Sequence, residues 1–78
     1  MAPEALRRRF PSLSDADLDA YVAVTRRVLA AGPLRARALK EVLSQARAAR
    51  EQEASGRPLT PELREALGYL SAIEKMQG

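Results

Sequence analysis

Three aspartates, Asp15, Asp17 and Asp19, are spaced by two residues in "DADLDAYVAVTR", as ligands are in the first half of a calcium-binding loop. The rest of that pattern is missing. Ala20 stands where the loop needs glycine for its sharp turn, and Arg26 stands where a bidentate glutamate belongs. Aspartates are also typical of the first turn of a helix, where the positive end of the helix dipole stabilises them. We therefore predict a helix start and no metal site.

The chain also lacks most of the residue types and motifs that enzymes use for catalysis. Its 78 residues include no histidine and no cysteine, which removes the commonest general base, the thiolate nucleophile and most zinc ligands. Its four glycines stand apart, so they form no glycine-rich phosphate loop. The serines and threonines have no base to activate them. We expect a protein that is not an enzyme and that binds no cofactor and no small-molecule substrate.

Cationic side chains give the chain its net charge of +3. The candidates for contacts with phosphate or with an acidic partner are Arg7, Arg8, Arg9, Arg35, Arg37, Lys40 and Arg47. The first three could join Arg35 and Arg37 in one basic end if the N-terminal turn folds back. Glutamates interrupt the cations after residue 40, which favours an ordinary solvated helix face over a nucleic-acid surface.

Start and stop signals divide the chain into helices. Ser14 and Thr60 are good N-caps, and Pro61 suits a first helical turn. Gly32 can end one helix in the left-handed conformation, while Pro33 can begin the next. The predicted helices cover about residues 3–9, 15–31, 33–54 and 61–76.

These elements predict an all-α fold, a single domain over residues 1–78. Because short loops favour antiparallel neighbours, we expect a small up-down-up three-helix bundle. The additional N-terminal helical turn should pack Leu6 and Phe10 across one end. Gly68 is unusual in the middle of a helix, where glycine costs about 1 kcal/mol relative to alanine. We interpret it as a point of close approach between helices.

Apolar stripes on the first and last long helices are wider than one helix contact needs. Wide stripes are expected in a small bundle, but they also suit an exposed surface for a protein partner or a second copy. The residues predicted for that contact are Tyr21, Val24, Val28, Tyr69, Ile73 and Met76. Alanines 16, 20, 23 and 30 form a second, small-residue face that permits close approach of another helix.

Together these patterns favour a non-catalytic helical interaction module, acting as a homodimer, a small subunit or an adaptor. The alternative is a small nucleic-acid-binding or regulatory protein that uses the arginine-rich surface. The opening "APEALRRRF" lacks the apolar core of a signal peptide, and no uncharged stretch approaches the roughly 20 residues of a membrane span. We therefore expect a cytoplasmic protein.

Overall fold

A computed structural model describes residues 4–77 of the chain as helices joined by short connections. The elements are α1 (Glu4–Arg9), α2 (Asp15–Ala30), a 3₁₀ turn (Gly32–Leu34), α3 (Arg35–Ala54) and α4 (Pro61–Gln77). The predicted all-α bundle of three long helices and one short leading helix is confirmed. Residue 3, where the first helix was predicted to begin, lies outside the described residues.

Local signals act at the helix ends largely as expected. The Ser14 hydroxyl accepts a hydrogen bond from the Asp17 amide at 3.1 Å, and the Thr60 hydroxyl accepts one from the Leu63 amide at 3.2 Å. Gly32 has a φ of +59°, the left-handed conformation that glycine adopts without strain.

The largest difference from the predicted helix boundaries is at the start of α3, because Pro33 belongs to the 3₁₀ turn and α3 begins at Arg35. The Leu34 amide bonds to the Ala31 carbonyl at 3.1 Å, and the Arg35 amide bonds to the Gly32 carbonyl. These tighter bonds carry the chain around the corner before the wider α-helical turns begin.

The core of the bundle contains few large side chains. Among the described residues, only Leu18 and Val24 are larger than alanine and almost completely buried. Five of the nine buried residues are alanines, at positions 20, 46, 49, 66 and 72. The helices therefore pack closely, but they remove little bulky apolar surface from water.

The short helix α1 closes one end of the bundle, as predicted. Leu6 and Phe10 pack against a cluster formed by Leu13, Leu18 and Ala72. This cluster lies where α2 begins and where α4 approaches its end. The contact therefore fixes α1 at the start of α2.

Three pairs of side chains show that α2 and α4 are antiparallel. Arg27 meets Glu65 at 2.5 Å, the Tyr21 and Tyr69 rings stack with centroids 5.7 Å apart, and Lys75 meets Asp17 at 3.0 Å. As the residue number increases along α2, the residue number of its contact partner in α4 decreases. The expected up-down-up order is therefore wrong, because it would make these two helices parallel.

The direction of α3 explains the difference. Its Arg50 guanidinium donates to both oxygens of Glu74, at 3.2 and 2.6 Å, and this ion pair lowers the pKa of Glu74. An antiparallel hairpin with a six-residue loop would instead place Arg50 near the first turns of α4. The later part of α3 therefore lies beside the C-terminal part of α4. Residues 55–60 return to the start of α4, since six or seven extended residues reach about 20 Å or more.

Candidate protein-interaction surfaces

The six side chains predicted to form a partner contact lie largely inside the bundle. Val24 is 0% exposed and Tyr69 is 8% exposed, so both are core residues of a single chain. The other four, Tyr21, Val28, Ile73 and Met76, are half-buried. The antiparallel arrangement of α2 and α4 turns both predicted stripes inward. A partner could reach Val24 or Tyr69 only if the bundle opened.

The two tyrosines form the aromatic contact between these helices. Their stacked rings are nearly parallel, with an angle of 12° between planes. Burial raises the pKa of the Tyr69 hydroxyl, and the neighbouring Tyr21 adds to the rise. Within one chain the stacked pair is therefore a packing contact between α2 and α4.

An open groove of about 600 Å³ lies on the outer side of the α2–α4 pair. Its floor and walls are mostly small or apolar side chains, and α3 contributes none of them. The apolar lining residues are Ala16, Ala20, Ala23, Leu59, Pro61, Leu67 and Gly68. The groove thus uses three alanines of the small-residue face of α2 that the sequence shows, while Ala30 of that face does not line it.

The groove is shallow because α2 and α4 approach very closely at its base. A Cβ atom added to Gly68 would lie only 2.9 Å from the Cβ of Ala20. The interpretation of Gly68 as a helix-crossing residue is supported by this distance, and the crossing lies within one chain.

Charged side chains border the groove in a defined order. The Asp17–Lys75 and Arg27–Glu65 ion pairs connect α2 with α4 near its two ends. Asp19 and Arg64 also line the groove, and neither has an ion-pair partner within residues 4–77. By the α2–α4 register, Asp19 lies toward one end and Arg64 toward the other.

The candidate phosphate-binding cations are all exposed, but they do not form one patch. Arg7 pairs with Asp15 at 3.1 Å, Arg8 lies 4.0 Å from Glu4, and the Arg9 guanidinium lies 5.8 Å from the Phe10 ring centroid. The Arg7–Asp15 pair places the arginine triplet near the start of α2.

The second group of cations begins at the other end of α2. Arg35 follows this 16-residue helix, whose rise is about 24 Å. The basic end in which Arg7, Arg8 and Arg9 would join Arg35 and Arg37 is therefore not formed. Lys40 and Arg47 continue along the outer face of α3, where Arg37, Lys40, Glu41, Ser44 and Arg47 line a shallow depression.

Two exposed leucines were not singled out from the sequence. Leu29 and Leu34 are each 58% exposed, and no other large hydrophobic side chain among the described residues is as accessible. Leu29 lies in the last turn of α2, and Leu34 is the last residue of the 3₁₀ turn between α2 and α3. The sequence signal for this corner is the absence of any acidic residue from position 20 to position 40.

Within residues 4–77, acidic side chains do not gather in groups of three or more that could hold a metal ion. None of the helices described is long and apolar enough to cross a membrane. No protein-family model, curated protein or solved structure matches this chain. The surfaces of the bundle are therefore the basis for assigning it a function.

Proposed function

We propose that this chain is a non-catalytic helical interaction module that forms a homodimer through the α2–α4 groove. The observation that carries the proposal is the thin, alanine-rich core beside an open apolar groove. A chain of 78 residues buries too little apolar surface to be very stable alone. Covering the groove with a second copy would bury more of it and stabilise the folded state by mass action.

Small side chains make the groove suitable for another helix pair. Ala16, Ala23 and Gly68 keep its surface close to the helix backbones. The distance between packed helix axes depends on the side chains at the contact, and small ones permit the closest approach. A second α2–α4 face can therefore approach closely.

The charges beside the groove favour a second copy as the occupant. A two-fold interface must be self-complementary, and within residues 4–77 this face carries one acid and one cation that have no ion-pair partner. If two faces meet with their α2 helices antiparallel, Asp19 of each copy lies at the same end as Arg64 of the other. Each dimer would then contain two new ion pairs.

The size of the proposed contact is compatible with the chain. Its accessible surface is 5640 Å². A standard protein interface buries about 800 Å² on each partner, roughly a seventh of that surface. Two neighbouring helices of 16 and 17 residues are the elements that offer the proposed contact area.

A charge-swap experiment tests the proposal, using light scattering over a range of concentrations to measure the dimer dissociation constant. The wild-type chain should approach twice its 8.5 kDa mass. Asp19→Arg or Arg64→Asp should weaken the dimer about tenfold, since two exposed pairs at about 0.7 kcal/mol each correspond to that factor. The double variant Asp19→Arg/Arg64→Asp should restore it.

The matched controls are Glu53→Arg and Arg47→Asp, which make the same charge changes at exposed positions on α3. They should leave the dissociation constant unchanged. A chain that stays at 8.5 kDa at every concentration contradicts the homodimer. Equal effects from the groove variants and the α3 controls would contradict the α2–α4 interface.

Phosphate binding by the arginine-rich surface is the alternative function, and it has less support. The cations are divided between two ends of α2, and Arg7 is already paired. Binding to duplex DNA that falls steeply with salt would favour this alternative, because phosphate contacts release counterions. The cytoplasmic location stays a prediction under either function.

A further inference from the structure

The corner between α2 and α3 combines exposed apolar surface with an excess of positive charge. We call it the basic corner and define it as residues 26–40, which cover the end of α2, the 3₁₀ turn and the first turns of α3. Its two leucines, Leu29 and Leu34, are each 58% exposed. Neither of them lines the α2–α4 groove, so this surface is separate from the proposed dimer contact.

Residues 26–40 contain cations and no acids, although Glu41 lines a depression beside Arg37 and Lys40. The five cations of the basic corner are Arg26, Arg27, Arg35, Arg37 and Lys40, and the nearest acids along the chain are Asp19 and Glu41. Among these five, Arg27 has an ion-pair partner, Glu65. Within residues 4–77, the other four form no ion pair, and all four are exposed.

We infer that the basic corner docks an acidic amphipathic segment of another protein. Carboxylates on such a segment would meet the guanidinium groups of Arg26, Arg35 and Arg37, which hydrogen-bond carboxylates in a two-pronged geometry. Apolar side chains on the same segment would cover the two leucines. A partner of this chemistry satisfies the charge and the apolar surface together.

Other anionic partners match the charge and the apolar surface of the basic corner less completely. A nucleic-acid backbone would neutralise the arginines, but it would leave Leu29 and Leu34 in water. A membrane surface would accept the leucines, yet stable interfacial binding needs the long apolar face of an amphipathic helix. The corner presents two leucines beside a turn, a size that suits a short protein segment.

The probe for the test is a fluorescein-labelled peptide of about 15 residues, near the shortest length at which a helix is marginally stable in water. Leucines occupy one helical face of the peptide and glutamates occupy the other positions. Fluorescence anisotropy measures its binding to the full chain. We expect saturable binding that weakens, but does not vanish, as salt is raised.

Variants of the chain locate the contact. Leu29→Ser/Leu34→Ser removes apolar surface that is exposed, so circular dichroism should show an intact fold while peptide affinity falls about tenfold. Arg35→Gln/Arg37→Gln should cause a similar loss and a weaker salt dependence. The control Arg47→Gln/Arg57→Gln removes two exposed cations outside the corner and should have no effect.

Four results would overturn the inference. They are no peptide binding, equal binding by the leucine variant, equal binding of a peptide whose leucines are replaced by glutamine, and tighter corner-dependent binding to duplex DNA or phosphatidylserine vesicles. Asp19→Arg, which tests the homodimer, should leave peptide affinity unchanged. Failure of the groove proposal can thus be distinguished from failure at the basic corner.

Discussion

At the scale of single residues, the tyrosine pair shows that the same residue type suits both a partner contact and a bundle core. Tyr21 and Tyr69 were predicted at a partner contact because tyrosine is common at interfaces. The same residue type also packs well in a core when its ring is stacked. Sequence spacing places both tyrosines on apolar stripes, but it does not show that the two stripes face each other.

The raised pKa of Tyr69 predicts a loss of stability at alkaline pH. Below the ordinary tyrosine value of 10.0, both the folded and the unfolded chain keep the proton, and stability does not depend on this group. Above it, the unfolded chain loses the proton first, so stability falls as pH rises toward the folded pKa.

Tyrosinate absorbance of the Tyr21→Phe variant measures this effect on Tyr69 alone, since the chain contains two tyrosines. The titration midpoint should be higher in the folded chain than in the same variant unfolded in urea. Tyr69→Phe should remove the corresponding part of the alkaline destabilisation. Identical midpoints in the folded and unfolded states would contradict the burial of Tyr69.

At the scale of elements, the α2–α4 crossing depends on one missing methyl group. Gly68 costs helix stability, yet it allows the Ala20 side chain to approach its backbone. An isolated glycine in an amphipathic pattern was enough to predict a close crossing. The helix that Gly68 contacts was not predictable, because the spacing of residues along the chain does not show which other helix lies beside this position.

A double-mutant cycle tests this crossing. Gly68→Ala should gain about 1 kcal/mol in helix propensity and lose about 1–3 kcal/mol through overpacking, so we expect lower net stability. Ala20→Gly alone should cost about 1 kcal/mol in propensity. In the double variant the methyl group moves from α2 to α4, and the crossing regains its space.

The stability of the double variant should therefore exceed the sum of the single effects by about 1 kcal/mol in urea unfolding. Gly68→Ala combined with Ala36→Gly, an exposed site on α3, provides the control pair and should be additive. Additivity at positions 20 and 68 as well would mean that the two helices do not meet there.

At the scale of the whole molecule, local patterns predicted the helices but not their directions. Ser14 and Thr60 act within three residues of their partners, so their caps can be predicted from a short stretch of sequence. The direction of α3 relative to α4 depends on contacts such as that between Arg50 and Glu74, which are 24 residues apart. Loop length alone favoured a hairpin, and it was misleading here.

Cross-linking distinguishes the observed topology from an up-down-up bundle. The chain has no cysteine, so introduced pairs are unambiguous. Arg50→Cys/Glu74→Cys should be joined within one chain by a short bismaleimide. Arg50→Cys/Glu62→Cys should not, because position 62 lies about 18 Å from position 74 along α4. The reverse result would indicate an antiparallel α3–α4 hairpin.

At the same scale, the two proposed contact surfaces differ in how far the sequence predicts them. The alanine face of α2 was visible in the sequence, and it lines the groove with Gly68. The exposure of Leu29 and Leu34 was not visible, because leucines beside a helix end are buried or exposed according to what the rest of the chain covers. The packing of α3 and α4 decides whether these two leucines are buried or exposed.

The central position of α4 has a consequence for how the protein forms during synthesis. It packs extensively on both α2 and α3, whereas those two helices contact each other much less. A ribosome makes α4 after α2 and α3. We therefore expect the nascent α2 and α3 to remain without stable tertiary structure until α4 has left the ribosome, and to depend on chaperones during that interval.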